Sequence, residues 1–167
     1  DWFVDHYKKL GVTEFHIVDN GSRDDTAALL QKHNGVHVYT KPESFRSSGF
    51  GVKWLNELRK KFGLRKWCFF VDADEMFVYP GFPDIPLRQV LSRMQSRGHR
   101  CVIAPMIDMF NVSAPFETKL VPGKNPIDIF PDYCPQDIRI INSDRFPYIG
   151  FRGGARTVFF GNHLTKL

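Results

Sequence analysis

The sequence lacks the features that would place it in a membrane or among repeat proteins. Its longest apolar runs, such as residues 67–71, are far shorter than the roughly 20 residues that a membrane-spanning helix needs. No positively charged start leads into an apolar run, so we expect no secretory signal peptide. No internal repeat or low-complexity tract is visible. These absences favour an ordinary globular chain.

Cysteine is scarce, with only Cys68, Cys101 and Cys134 in the chain. Their odd number and wide spacing argue against a disulfide framework and against a zinc site. Cys68 and Cys101 lie in apolar, strand-like stretches. We therefore expect buried free thiols, as in a protein of a reducing compartment.

Apolar and basic residues are plentiful. With 167 residues and 43% hydrophobic content, the chain is long enough for one domain with a sizeable core. The formal net charge of +5 is compatible with anionic ligands. The basic clusters near residues 59–66 and 93–100 do not have the interleaved aromatics of a single-strand binder, so we interpret them as solvated helix faces and expect no nucleic-acid partner.

Apolar periodicity predicts alternating helices and strands as far as residue 110. A first helix should end at Gly11, and a second should end near His33 after a Ser22/Asp25 capping box or a competing Asp24 cap. Further helices are predicted before Gly63 and from Asp84 to Gly98, and strands at residues 14–18, 36–40, 66–71, 76–79 and 101–110. This order predicts an α/β fold with a largely parallel sheet.

The pattern changes after Asn111. Proline and glycine become frequent, helical periodicity is lost, and only residues 138–141 and 157–160 resemble strands. We therefore predict a single domain, 1–167, with an α/β half at 1–110 and an irregular half at 111–167 that includes a small antiparallel unit.

Three carboxylates, Asp72, Asp74 and Glu75, follow the predicted strand at residues 66–71. In an extended segment Asp72 and Asp74 would face the same side, where a divalent cation would relieve their repulsion. Mg²⁺ and Mn²⁺ suit such oxygen ligands and keep positions open for a diphosphate. Glu75 should face the other way and pair with an arginine or lysine. The alternative is an acidic turn exposed to water.

Asp19 occupies a comparable place, directly after the predicted strand at residues 14–18. Ligands of open α/β sheets bind outside the carboxyl ends of the strands, and parallel strands would bring Asp19 and Asp72 to the same edge. A carboxylate there could accept hydrogen bonds from a ribose or a base. The alternative is a local turn, which the sequence "DNGS" favours.

Three segments together resemble a nucleotide-sugar-dependent glycosyltransferase of the family 2-like group. "FVDHYKKLGVTEFHIVDNGSRDDT" resembles that group's helix, strand and Asp-Asn-x-Ser-x-Asp-Gly-Thr loop, and "WCFFVDADEMFV" resembles its strand ending in Asp-x-Asp-Glu. "GGARTVFFGNHLTKL" resembles a Gly-Gly-x-Arg segment of some bacterial members. The resemblance implies a GT-A fold, a Rossmann-like three-layer sandwich with a mainly parallel sheet, plus an irregular C-terminal extension. It also implies that the group's first strand would precede this chain, and residues 111–148 match the group poorly.

The resemblance also implies roles at the metal and the nucleotide. Asp19 would contact the nucleotide, Asp72 would lie near both ribose and metal, and Asp74 would ligate Mn²⁺ or Mg²⁺ directly. His163 would complete the metal site, although a lone histidine near the end of a strand is more often structural. The ion would stabilise the departing nucleoside diphosphate.

The remaining roles concern the phosphates and the acceptor. Lys53 and Arg156 could contact phosphate; the alternatives are an exposed helix lysine and ordinary surface charge. Inversion needs a general base on the acceptor hydroxyl. Asp137 is our choice for the base over Asp108 and Asp132.

The function implied is inverting transfer of a sugar from a nucleotide donor to a glycan or polysaccharide acceptor. The expected location is the cytoplasm or, through peripheral association, the inner face of a membrane. Two alternatives stay open: a metal-dependent nucleotidyltransferase, and an inactive GT-A domain that binds glycans or partners. No glycine-rich phosphate loop of the P-loop type is present.

Overall fold

A computed structural model describes residues 2–114, 117–121 and 123–133, and the backbone of residues 139–143 and 146–152. The chain divides into two compact units, Asp1–Gly98 and His99–Leu167. The division comes earlier than residue 110, where the sequence predicted that the α/β half ends. The first unit contains α1 (Trp2–Lys9), β1 (Phe15–Asp19), α2 (Thr26–Gln31), β2 (Val36–Thr40), α3 (Val52–Phe62) and α4 (Leu87–Ser96). The second contains α5 (Pro126–Ile129), β3 (Arg139–Ser143) and β4 (Phe146–Arg152). The predicted mixed α/β class is confirmed.

The sheet of the first unit consists of β1 and β2, which pair in parallel with Phe15 opposite Val36. Their β-branched and aromatic residues suit a pleated, half-buried surface. The ladder is extended at its start, where the Phe15 N–H donates to the Gly35 carbonyl over 2.8 Å. Gly35 has φ +78°, and a Cβ there would lie 2.3 Å from the carbonyl oxygen of Thr13. Glycine is therefore required where the chain enters β2.

One face of this sheet packs on the core of the first unit. The α1 residues Val4 and Tyr7, at helical spacing, are each only 1% exposed. They pack with the other buried members of the core, Leu10, Phe15 and Leu87. Helices α1 and α4 thus cover the same face of β1.

The other face of β1 carries His16, whose ring stacks on Phe62 with centroids 4.0 Å apart. Phe62 is the last residue of α3, so α3 covers the face opposite to α1. Trp54 is the buried anchor of α3, at 4% exposure. The predicted end of this helix at Gly63 is confirmed.

The predicted capping box of α2 and the predicted start of α4 are wrong, whereas the competing Asp24 cap makes a bond in the structure. Ser22 bonds to Asp19 rather than capping α2, and Asp25 makes no cap bond. The carboxylate of Asp24 instead accepts from the Thr26 N–H over 3.1 Å, and this bonding lowers the pKa of Asp24. The helix after Asp84 begins at Leu87, with Pro86 at its N-cap and no capping side chain.

Three predicted strands, at residues 66–71, 76–79 and 101–110, are not strands in the structure. Residues 66–71 have the burial of a half-buried strand, since Phe69 and Val71 pack against the core and Phe70 is 50% exposed. A strand also requires a hydrogen-bonded neighbour. No described residue supplies one to residues 67–71. The pattern of side chains predicts burial but does not specify which segment pairs, so it could not reveal this.

The second unit contains a short antiparallel pair, as predicted for the irregular half. Strands β3 and β4 pair with a register shift at Asn142/Ser143, and Phe110 and Asp132 form an isolated antiparallel bridge. The prediction for residues 138–141 agrees with β3 where the backbone is described, whereas β4 was not predicted. The predicted strand at residues 157–160 lies outside the described residues.

The cysteine prediction is only half correct. Cys68 and Cys101 are free thiols, but both are exposed rather than buried. Cys68 lies beside the carbonyl oxygens that follow α3, and neither thiol has the strand environment that the sequence indicated. Cys134 lies outside the described residues.

Among the residues that the structure describes, no helix is long and apolar enough to cross a membrane.

Candidate functional site

The carboxylate-rich stretch at residues 72–75 forms a tight turn, called here the acidic turn. The Glu75 N–H donates to the Asp72 carbonyl over 3.1 Å, and the Asp72 N–H donates to the Glu75 carboxylate over 3.0 Å. The predicted extended geometry is therefore wrong, and alternation along a strand does not orient Asp72 and Asp74. The predicted ion pair of Glu75 is wrong too, because its carboxylate bonds to backbone. The Asp72-x-x-Glu75 spacing, that of a capping box, is the signal that could have indicated this turn.

The other two carboxylates of the acidic turn face water. Asp72 and Asp74 are both exposed. Neither carboxylate has a hydrogen bond or an ion pair within the described parts of the chain, where the ion pairs are Lys41–Glu57 and Lys66–Glu14. Two neighbouring anionic groups are thus available to a cation.

The buried helix α1 holds the acidic turn from beneath. The Tyr7 hydroxyl donates to the Glu75 carbonyl and accepts from the Phe77 N–H, each over 3.2 Å. The His6 Nε2 lies 2.9 Å from the Phe77 carbonyl oxygen, and since a carbonyl only accepts, His6 is the donor. Burial raises the pKa of Tyr7, as does the charge of Glu75, while the bond from Phe77 opposes them. The hydroxyl therefore stays protonated, and able to donate, at neutral pH.

Asp19 lies at the carboxyl end of β1 and is buried, at 9% exposure. Its Oδ1 accepts from both the N–H and the hydroxyl of Ser22, which closes the loop after β1. This local turn is the alternative that the sequence favoured for Asp19 alone. Asn20 donates to the carbonyls of Lys41 and Glu43 over 2.7 and 2.8 Å. The loops that follow β1 and β2 are therefore tied together at the carboxyl edge of the sheet.

The acidic turn and Asp19 do not form a closed metal cage. In the described portion, no group of three or more His, Cys, Asp or Glu could hold a metal ion. Away from the acidic turn, the Lys66 Nζ lies 3.0 Å from the carboxylate of Glu14, the residue that precedes β1. This contact with solvent-exposed Lys66 lowers the pKa of Glu14 through a hydrogen bond and charge.

The other predicted site residues are dispersed or lie outside the described residues. Lys53 is exposed near the start of α3. Of the rejected base candidates, Asp108 is exposed, while Asp132 accepts from the Val112 N–H over 2.8 Å. The residues outside the described part are Asp137, Arg156 and His163.

Sequence reasoning missed His6 and Tyr7 as residues of this site. Tyr7 has the helical spacing of an apolar, core-facing residue, and no sequence pattern distinguishes His6. Nothing in the sequence pairs either of them with residues 68 to 71 positions away. The "HY" pair was visible only as part of the resembling segment.

Comparison with known proteins gives no match: no family model, curated protein or solved structure matches this chain.

Proposed function

We propose that this chain acts as a metal-assisted glycosyltransferase of the GT-A type, moving a sugar from a nucleotide-diphosphate donor to a glycan or polysaccharide acceptor. One observation carries the proposal: the exposed carboxylates of Asp72 and Asp74 have no partner among the described residues, yet they stand on a turn bonded to buried Tyr7. Water-facing acidic residues need no such anchoring, whereas a ligand site gains from it.

The residues of the acidic turn fit a hard divalent cation. Mg²⁺ is usually held by one or two carboxylates together with substrate phosphates and water, so a closed cage is not required. Asp74, with Asp72, would hold Mn²⁺ or Mg²⁺. When bound, the ion would offset the negative charge that develops on the leaving diphosphate.

The remaining roles stay predictions for residues that the acidic turn does not include. Asp19 would contact the nucleotide through carboxylate capacity left beside its bonds to Ser22, and Lys53 and Arg156 would pair with phosphate oxygens. His163 would add a ligand to the metal, and Asp137 would take the proton of the acceptor hydroxyl, as inversion requires.

The proposed location is the cytoplasm or the inner face of a membrane.

Metal-dependent nucleotide binding tests the proposal. Isothermal titration of the full chain with UDP, GDP and ATP, each with and without Mn²⁺, should give Mn²⁺-dependent binding of a diphosphate. Asp74→Ala should abolish that dependence. Asp84→Ala is the matched control, since Asp84 is an exposed aspartate of a neighbouring turn and makes no described contact.

The outcomes separate the rival functions. Equal Mn²⁺-dependent binding by wild type and Asp74→Ala would exclude the metal assignment. Binding of ATP in preference to both diphosphates would favour the nucleotidyltransferase. Diphosphate binding without release of sugar from any nucleotide sugar would favour an inactive binding domain.

A further inference from the structure

We infer that Tyr7 is a positioning residue for the acidic turn, acting through its hydroxyl on the backbone of Glu75 and Phe77. The inference rests on the proposed function, because it assigns to Tyr7 the placement of the carboxylates that would hold the metal. The described hydrogen bonds of the Tyr7 hydroxyl go to Glu75 and Phe77 and to neither aspartate.

The hydroxyl of Tyr7 bridges the peptide groups that follow the acidic turn. It donates to the Glu75 carbonyl and accepts from the Phe77 N–H, both at 3.2 Å. Tyr7 is only 1% exposed, so neither bond is readily replaced by water. The ring is held separately, by Phe69 and Phe3 at centroid distances of 5.4 and 4.9 Å. Removing the oxygen alone would therefore leave the packing in place.

Glu75 transmits this placement to the two aspartates. Its N–H and its carboxylate both bond to the backbone of Asp72, while its carbonyl bonds to Tyr7. Every hydrogen bond described for Glu75 thus leads either to Asp72 or to the buried tyrosine. Asp74 lies between the two ends of the closed turn, so its backbone is fixed by the same bonds.

His6 completes the attachment at the next residue. It donates to the Phe77 carbonyl over 2.9 Å, so both backbone groups of Phe77 are bonded to consecutive side chains of α1. The backbone of Phe77 is thus bonded to side chains of a helix and not to the backbone of a neighbouring strand. The docking of α1 and the shape of the acidic turn are consequently coupled.

The test compares two tyrosine hydroxyls in the full chain. Tyr7→Phe removes the bridge, and Tyr79→Phe is the matched control, because the Tyr79 hydroxyl is also part-buried and donates to a carbonyl, that of Ile85, over 2.6 Å. Titration with Mn²⁺ and UDP gives the affinity. Hydrogen exchange measured by NMR on the protein without ligand gives the protection of the Glu75 amide.

We expect Tyr7→Phe to weaken Mn²⁺–UDP binding by about tenfold, the equivalent of one or two hydrogen bonds, and to speed exchange at Glu75. Tyr79→Phe should change neither. Equal weakening in both variants would reflect general loosening and would overturn the inference, as would unchanged affinity in Tyr7→Phe.

Failure of the proposed function is distinguishable, because it would already be seen as absent Mn²⁺–UDP binding in the wild type. The exchange measurement needs no ligand. Unchanged exchange at Glu75 in Tyr7→Phe overturns the positioning role, and faster exchange confined to the acidic turn supports it, whether or not the diphosphate binds.

Discussion

The imidazole of His16 stacks on the ring of Phe62, with centroids 4.0 Å apart and planes 11° apart. The register partner of His16 on β2 is His37, whose ring also stacks on it, at 5.1 Å. The His16 Nδ1 lies 3.0 Å from the Tyr39 hydroxyl, whereas Nε2 is buried without a partner among the described residues. One side chain therefore joins β1, β2 and α3.

This arrangement predicts a loss of stability in mild acid. Burial, then the charge of His37, lowers the pKa of His16 from its usual 6.5; Lys66 and Lys61 act in the same direction and Glu14 opposes them. The unfolded chain therefore binds a proton at His16 more readily than the folded chain does. The stabilisation is complete above about pH 6.5 and is lost as the pH falls through the lower pKa that His16 has in the folded chain.

Urea unfolding between about pH 8 and pH 5 measures this loss. His16→Phe, which keeps a ring against Phe62, should have a shallower pH dependence than the wild type. Exposed His99 supplies the control variant, His99→Phe. If the wild type and His16→Phe have equal slopes, His16 is not the responsible group.

Gly35→Ala should destabilise the first unit more than Gly11→Ala. Both glycines have positive φ, but a Cβ at Gly35 would meet the Thr13 carbonyl at 2.3 Å, while nothing lies within 4 Å of one at Gly11. We expect about 1 kcal/mol for the left-handed backbone alone and at least ~2 kcal/mol more at Gly35. Chemical denaturation of both variants measures the difference, and equal losses would contradict the close contact.

Leu87→Ala should cost about 2–5 kcal/mol of unfolding free energy. Leu87 is 5% exposed and is the α4 residue buried in the core with α1 and β1. Leu64→Ala is the matched substitution, because Leu64 is 69% exposed and should lose less than about 0.5 kcal/mol. Thermal and urea unfolding measure the loss of unfolding free energy in both variants. A small loss for Leu87→Ala would indicate that α4 does not pack against the core of the first unit.

Asn20→Ala should loosen the loop at residues 41–51 without unfolding the sheet. The variant removes both bonds from the Asn20 amide to the carbonyls of Lys41 and Glu43, worth about 1 kcal/mol each at most. Limited proteolysis should cut that loop faster than in the wild type. Exposed Asn56 on α3 provides the control, Asn56→Ala, and equal cleavage rates in the two variants would argue against the tie.

The elements that the sequence predicted well are those specified by local patterns. The apolar spacing of Phe3, Tyr7 and Leu10 predicted the first helix, β1 was predicted as a short strand, and β2 follows from alternation. Their parallel pairing followed from the helix between them. For the acidic turn the sequence correctly indicated a cluster of carboxylates after an apolar segment. It did not indicate the turn itself, because the Glu75 carboxylate bonds to the backbone of Asp72 and not to an arginine or lysine.

Local sequence thus determined α1 to α4, apart from where α2 and α4 begin, together with β1 and β2. It also determined that Asp72 and Asp74 follow an apolar segment. Only the tertiary structure decided that residues 66–71 lack a paired neighbour among the described residues, and that Tyr7 bonds to Glu75 and Phe77. The physical reason is range. Helical period and turn chemistry act between residues a few positions apart, whereas a hydroxyl that meets a peptide group 68 residues away does so because α1 buries its apolar face against that segment.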